Sequence, residues 1–246
     1  MKNLVVLAGL IAAASTGCII SSDSSSNPHV GATWQVKSIA GGAEIGCPPN
    51  IDTAALYDQP VDANDNPVGD PIIDLFDCAA GAGRSAPLPA TTYETWIELT
   101  NTNNTDVYAK SVPAFLDITD VDMTYNTDIY DDGGFFALSW QLVGANSNQP
   151  IDCATAGADG ADGGVETTAT VVGSQQAKTD QFTCSDFYGV TAALAAGTYT
   201  VSVDAFNNAG ALGAPVNLTN KVITSRAQQP DEVTNLGMVT LPIDGH

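Results

Sequence analysis

Basic residues are scarce in this chain: seven Lys and Arg stand against 28 Asp and Glu in 246 residues, a formal net charge of −21. A surface of that sign repels phosphate backbones, which excludes nucleic acid as a partner. Histidine is scarcer still, with His29 near the start and His246 as the last residue. Neither position promises the packed shell that a nucleophile–His–carboxylate relay or a His-bound zinc needs. No C-x-x-C pair is present to build a four-Cys zinc site. No long stretch has helical periodicity, so no Gly-rich phosphate loop can open a helix. The apolar run from Leu4 to Ala14 is eleven residues, too short to span a bilayer. With 28 acids, some carboxylates fall close together by chance, and paired carboxylates alone are no case for glycoside hydrolysis. These absences lead to the expectation of a non-enzymatic protein without a cofactor.

What is present is a duplication. Trp34, Gln35, Ile45, Cys47, Phe76, Cys78, Leu88, Ala90, Thr92 and Tyr93 each find the same residue 106 positions on. Shared spacing of Trp, Cys, Phe and Tyr implies shared core geometry, hence two copies of one domain. Each copy has the size of an ordinary small domain, and 44% hydrophobic residues suffice for two cores. The texture is all-β: short runs of Thr, Val, Ile and aromatics separated by Gly, Pro, Asn and Asp. Strands are expected at residues 34–39, 53–57, 72–78, 93–100 and 108–118, and at 139–143, 165–172, 181–184, 198–206, 216–224 and 238–241. Alternation places Tyr93, Thr95, Ile97 and Leu99 on the core, with Glu94, Trp96 and Glu98 outside. The boundary between copies falls near the run Asp131-Asp132-Gly133-Gly134.

The N-terminus carries a minimal basic residue, Lys2, the apolar run, and then Ser15-Thr16-Gly17-Cys18. This resembles a bacterial lipoprotein signal, although Ser15 stands where that family usually has Leu. The resemblance implies export, cleavage before Cys18 and acylation of Cys18. Ile19 after the Cys implies the outer membrane of a Gram-negative envelope. The expected organisation is a signal peptide at 1–17, a Ser-rich tether at 18–32, and repeats at 33–134 and 135–246. Five Cys is an odd count for an exported protein, and a lipidated Cys18 leaves four. Three pairings are open; the repeat favours Cys47–Cys78 and Cys153–Cys184, each 31 residues apart. Each bond stabilises its domain by roughly 3 kcal/mol in the chain-entropy model. An early Trp, an inter-strand disulfide and a late Tyr resemble immunoglobulin-like sandwiches. Here, however, Trp precedes the first Cys instead of lying between the two. The expected fold is two tandem Ig-like antiparallel β-sandwiches.

Two features point to ligands. Asp62-Ala63-Asn64-Asp65-Asn66 resembles the D-x-N-D-N calcium pattern of cadherin linkers, so Asp62, Asn64, Asp65 and Asn66 are candidate calcium ligands. The segment lies between two strands of one repeat, where Asn, Asp and Pro also serve a hairpin tip, and that reading is preferred. Asp120, Asp122, Asp128, Asp131 and Asp132 cluster near the boundary, and Asp159-Gly160-Ala161-Asp162-Gly163-Gly164 reads as a loop. Trp96 sits on a polar face where the second copy has Ser202. It is a candidate hot spot for a protein or stacking platform for a glycan; the alternative is packing under a loop or against the second domain. The expected function is a lipid-anchored binding, adhesion or structural module of the cell envelope, with an unidentified protein or glycan as partner. An accessory subunit of an envelope complex and a carbohydrate-binding module are the alternatives. Replacing Cys18 with Ser is expected to move the protein from the membrane to the soluble fraction, as followed by immunoblotting of fractionated cells.

Overall fold

The computed structural model describes residues 27–103 and 106–246. The expected signal peptide, Cys18 and nearly all of the tether lie outside the described residues. The first domain holds β1 (Val30–Lys37), β2 (Thr53–Pro60), β3 (Ile72–Asp77), β4 (Ala82–Arg84), β5 (Thr91–Thr100), β6 (Val107–Lys110), β7 (Ala114–Ile118) and β8 (Met123–Tyr130). They form two sheets, β4-β1-β8 and β3-β2-β5-β6, with β7 also on β5. The second domain holds β9 (Gly133–Gly144), β10 (Pro150–Ile151), β11 (Gly164–Val171), β12 (Ala177–Phe182), β13 (Tyr188–Val190), β14 (Leu194–Ala195), β15 (Gly197–Asn207), β16 (Gly210–Ala211), β17 (Val216–Ile223) and β18 (Val233–Ile243). Its sheets are β10-β9-β13, with β14 and β18 on β9, and β12-β11-β15-β16, with β17 on β15. Pairing is antiparallel except for β1–β8 and β9–β18, which are parallel.

Each sandwich has its own core. In the first, Trp34, Leu56, Leu88, Tyr93, Ile97 and Ile129 are buried together; in the second, Trp140, Val165, Leu194, Tyr199, Val203 and Leu241 are. The repeat extends to individual bonds. The indole N–H of Trp34 donates to the carbonyl of Cys78, and that of Trp140 to the carbonyl of Cys184, both at 2.9 Å. Phe76 lies 6.0 Å from Trp34 and Phe182 5.7 Å from Trp140, ring centre to ring centre. Gly83 and Gly189 leave room for those Phe rings, since a Cβ on either would come within 2.6 Å of one. The Tyr93 hydroxyl donates to Pro89 O and the Tyr199 hydroxyl to Ala195 O, closing the same corner in both domains.

Disulfides join Cys47 to Cys78 and Cys153 to Cys184. They do not run strand to strand as expected. Cys78 and Cys184 open short 3-10 turns (Cys78–Ala80, Cys184–Asp186), and Cys153 opens a one-turn helix (Cys153–Ala156). Each bond therefore staples the crossover after the first strand to the turn after the edge strand. The turn ends on a left-handed residue, Gly81 (φ 63) in one domain and Phe187 (φ 53) in the other. A side chain at such a φ costs about 1 kcal/mol, which Gly81 avoids.

Two expectations change. The first strand begins at Val30, so residues 30–32 of the expected tether belong to β1, and His29 is half-buried with Nδ1 2.7 Å from Ser85 O. The expected strand 108–118 is interrupted at residues 111–113, where Ser111 Oγ accepts from Ile97 N and Pro113 has no N–H to give. The stretch 117–132, read from the sequence as the last strand of the first domain plus a short linker, supplies β8 and a two-residue link to β9.

One core position breaks the symmetry. Asp58 is buried in the first domain, where Thr95 Oγ1 donates to its Oδ1 at 2.7 Å while Oδ2 has no protein partner. The register puts Ala169 and Val201 at these two places in the second domain. Burial pushes the Asp58 carboxyl up to about 6, against the lowering effect of Thr95. The folded state then binds this proton more tightly than the unfolded chain, so its contribution to stability falls as pH rises from about 3.8 to about 6. Asp58→Ala with Thr95→Val is expected to raise stability at neutral pH by on the order of 1 kcal/mol and to remove that pH dependence. Thermal melts across pH test this; a lower midpoint at neutral pH refutes it.

Candidate binding surface

The outer face of the sheet β3-β2-β5 distinguishes the two domains. In the first, cross-strand register aligns Ile73, Tyr57 and Trp96 in one row and Leu75, Ala55 and Glu98 in the next. Phe115 on β7 lies opposite Glu94. Ile73, Leu75 and Phe115 are 45%, 62% and 51% exposed. The same rows in the second domain read Thr179, Thr168 and Ser202, then Gln181, Glu166 and Asp204. One backbone platform is thus polar in one copy and apolar in the other. Because the duplicate shows what this face looks like in water, the apolar version is the informative one.

Trp96 does not present a free ring face. Tyr57 stacks on it with centroids 4.9 Å apart and an interplanar angle of 6°. The ammonium of Lys110 lies 4.5 Å from its ring centre, and its Nε1 donates to Glu98 Oε1 at 3.0 Å. Strand order places Tyr57 on β2 to one side of β5 and Lys110 on β6 to the other. Both faces of the indole are occupied, so the ring offers an edge, the wrong geometry for stacking a sugar. The single-residue signal was legible from Trp96 opposite Ser202. The wider patch has a weaker sequence signal, spread over single differences at the same offset, Ile73 against Thr179 and Leu75 against Gln181.

Lys110 also joins this face to the domain junction. Its backbone N–H donates to Pro230 O, and its carbonyl accepts from Glu232 N. Residues 230–232 thereby add a short parallel rung to β6. Arg226 is buried behind them and donates to the carbonyls of Pro230, Gly133 and Thr224. Glu232 is 1% exposed; its Oε1 accepts from Tyr130 N. The Tyr108 hydroxyl donates to Asp131, and Asp132 accepts from Ser38 Oγ and from the N–H groups of Ile39 and Ala40. Burial pushes the Glu232 carboxyl up to about 8, against the lowering effects of the Tyr130 N–H and Arg226. Burial, then the bond to Asp131, raises Tyr108, and burial lowers Arg226. Gly134 fits here because a Cβ would sit 2.2 Å from Glu232 O.

The acidic motifs are built into turns and pairs. Asp62 Oδ1 accepts from Asn64 N, Asn66 N and Asn66 Nδ2, and these bonds hold its carboxyl below the usual range. Asn64, Asp65 and Asn66 are exposed around this Asx turn, with Asp65 in the left-handed region (φ 60). Asp122 pairs with Arg84 and Asp128 with Lys37. Among the described residues no three His, Cys, Asp or Glu side chains could share a metal ion. An open concavity of about 780 Å³ lies over β1 and β8 and is lined by Thr33, Gln35, Glu44, Asn126 and Asp128 among others. No helix among the described residues is long and apolar enough to cross a membrane.

No protein-family model matches the chain, and no curated protein sequence matches it. Among solved structures, a leucine-rich repeat protein from Bacteroides thetaiotaomicron is 13% identical over 88% of this chain, at a TM-score of 0.39; the match spans 26% of that protein. The minor pilin of Streptococcus agalactiae is 9% identical, with 88% of this chain and 94% of that one covered, at 0.29. A proposed adhesin of Bacteroides ovatus is 11% identical, with 86% and 88% covered, at 0.29. Likeness at that level assigns no function to the chain.

The junction has a pH signature. The Glu232 proton is held more tightly in the folded protein than in the unfolded one, so this group's contribution to stability falls as pH rises from about 4.5 to about 8. Glu232→Gln is expected to flatten the melting temperature across that interval. An unchanged slope in the variant would show that Glu232 is not the titrating group.

Proposed function

We propose that the protein is a non-enzymatic binding or adhesion module of the cell envelope, held by an acylated Cys18 and presenting the outer β3-β2-β5 face of its first domain to a protein partner. The supporting observation is the contrast between Ile73, Leu75, Tyr57 and Trp96 in one domain and Thr179, Gln181, Thr168 and Ser202 at the same places in the other. An apolar patch ringed by carboxylates is kept exposed on a chain that has a polar solution to the same geometry. A protein partner is favoured over a glycan because the Trp96 ring is covered on both sides by Tyr57 and Lys110. In this reading the two domains stand off an outer membrane on the tether. Calcium has no part in it, since Asp62 already holds its own turn.

The test exchanges the face. A variant carrying Ile73→Thr, Leu75→Gln, Tyr57→Thr and Trp96→Ser takes the second domain's residues at all four places. Beads coated with it should attach to envelope preparations of the producing cells about tenfold less than wild-type beads, a loss of about 1.4 kcal/mol, with the melting transition retained. Attachment should survive periodate oxidation of glycans and be lost after proteolysis of the envelope. Undiminished attachment of the variant overturns the reading, and loss to periodate would favour a glycan.

A further inference from the structure

We infer that β3 is an open edge built to accept an extended segment of a partner chain whose residues alternate between apolar and basic; this rests on the first-domain face being the binding surface. Among the described residues β3 pairs with β2 alone. The direction of its backbone groups follows from two bonds. Cys78 N donates to Asp52 O, and Val61 N donates to Thr92 O. In an antiparallel ladder hydrogen-bonded pairs alternate, so residues 54, 56 and 58 of β2 bond to β3, while 55, 57 and 59 bond to β5. The residues of β3 bonded to β2 are then 72, 74 and 76. Ile73 and Leu75 direct their N–H and C=O groups away from the sheet, and their side chains stand on its outer face.

Natural edge strands guard such groups with charge, and β12 does so here. Its sequence is AKTDQF, with exposed Thr179 and Gln181, and the Lys178 ammonium donates to Ala193 O. The equivalent β3 reads IIDLFD. Lys178 is replaced by Ile72, Thr179 by Ile73 and Gln181 by Leu75. The lysine and the polar outer residues are present in one copy and missing from the same strand in the other, where the charges left are the acidic Asp74 and Asp77; this marks β3 as an edge open to strand addition by a basic segment.

Charge selects the occupant. A strand added beside β3 places apolar side chains next to Ile73 and Leu75 and, between them, a residue next to Asp74. Asp74 is fixed by accepting from Ala86 N, and Asp77 follows at the end of the strand. A basic residue there gains the Asp74 carboxylate on a chain of net charge −21. A second copy of β3 is a poor match. The two-fold pairing that sets Ile73 against Leu75 also sets Asp74 against Asp74, and like charges directly opposite are destabilising.

The probe is a capped hexapeptide alternating Val and Lys, with one alternating Val and Glu as control. Hydrogen exchange is read by NMR on the labelled, disulfide-intact protein. The Val–Lys peptide should slow exchange of the Ile73 and Leu75 amides by about tenfold and leave those of 72, 74 and 76 unchanged. The Val–Glu peptide should not. Leu75→Pro, which removes the outward N–H of an edge strand without touching a β2 bond, should abolish the effect. Leu75→Gln, which keeps that N–H, should weaken it and confirms that the site tolerates substitution. No protection at 73 and 75, equal protection by both peptides, or protection that grows with protein concentration alone overturns the inference. If Tyr57, Trp96 and Phe115 respond to the peptide while the β3 amides do not, the edge proposal fails and the face reading stands. If neither responds and the face variant still attaches, both fail.

Discussion

Each sandwich depends on one buried hydrogen bond between an indole and the carbonyl of a disulfide-bonded Cys. Trp34 and Trp140 lie at the centre of their cores, and their only polar atom is matched by Cys78 or Cys184. An unmatched buried N–H would cost roughly 1–3 kcal/mol. The disulfide holds the acceptor in place by tying its turn to the first crossover. The Phe ring beside the indole and the Gly beneath that ring complete an arrangement that tolerates little substitution. This explains why Trp, Phe and both Cys keep their spacing across the duplication while surface residues have drifted apart.

That drift is informative because the framework stays fixed. With register shared between the copies, each difference compares two side chains on one backbone. Asp58 and Thr95 against Ala169 and Val201 show that the first domain keeps a costly polar pair in its core. Apolar residues against Thr, Ser and Gln show that one outer face departs from ordinary solvation. Both departures lie on the β2–β5 pair of the first domain, on opposite faces of the same sheet. The structure gives no physical reason for Asp58 itself.

The framework was largely legible in the sequence. Identical residues at a fixed offset gave two domains, their cysteine pairing, and the inward side of β5 and β15, because those features are set by large side chains that must interlock. Features set by the backbone or by distant segments were not legible. The start of β1 at Val30 depends on Ser85 Oγ, just past the neighbouring strand β4, accepting from its N–H, as Thr191 does for Phe136. Phe187 occupies a left-handed position that Gly81 alone would signal. The junction of Arg226, Glu232, Tyr108 and Asp131 has no local pattern, since its members meet only after both domains have formed. At the candidate surface Trp96 stood out against Ser202. Its covering by Tyr57 and Lys110, which decides what it can bind, required the strand order.

The parallel pairing of first and last strands has a mechanical consequence. In the first domain the chain enters at the start of β1 and leaves at the end of β8, and the two strands run in the same direction side by side. The second domain repeats this with β9 and β18. Tension pulling those ends apart acts along the strands, so all rungs between them carry the load in shear instead of opening one by one. With only Asp131 and Asp132 between β8 and β9, both bonded to the first domain or the junction, little slack would be taken up before both sandwiches bear the load together.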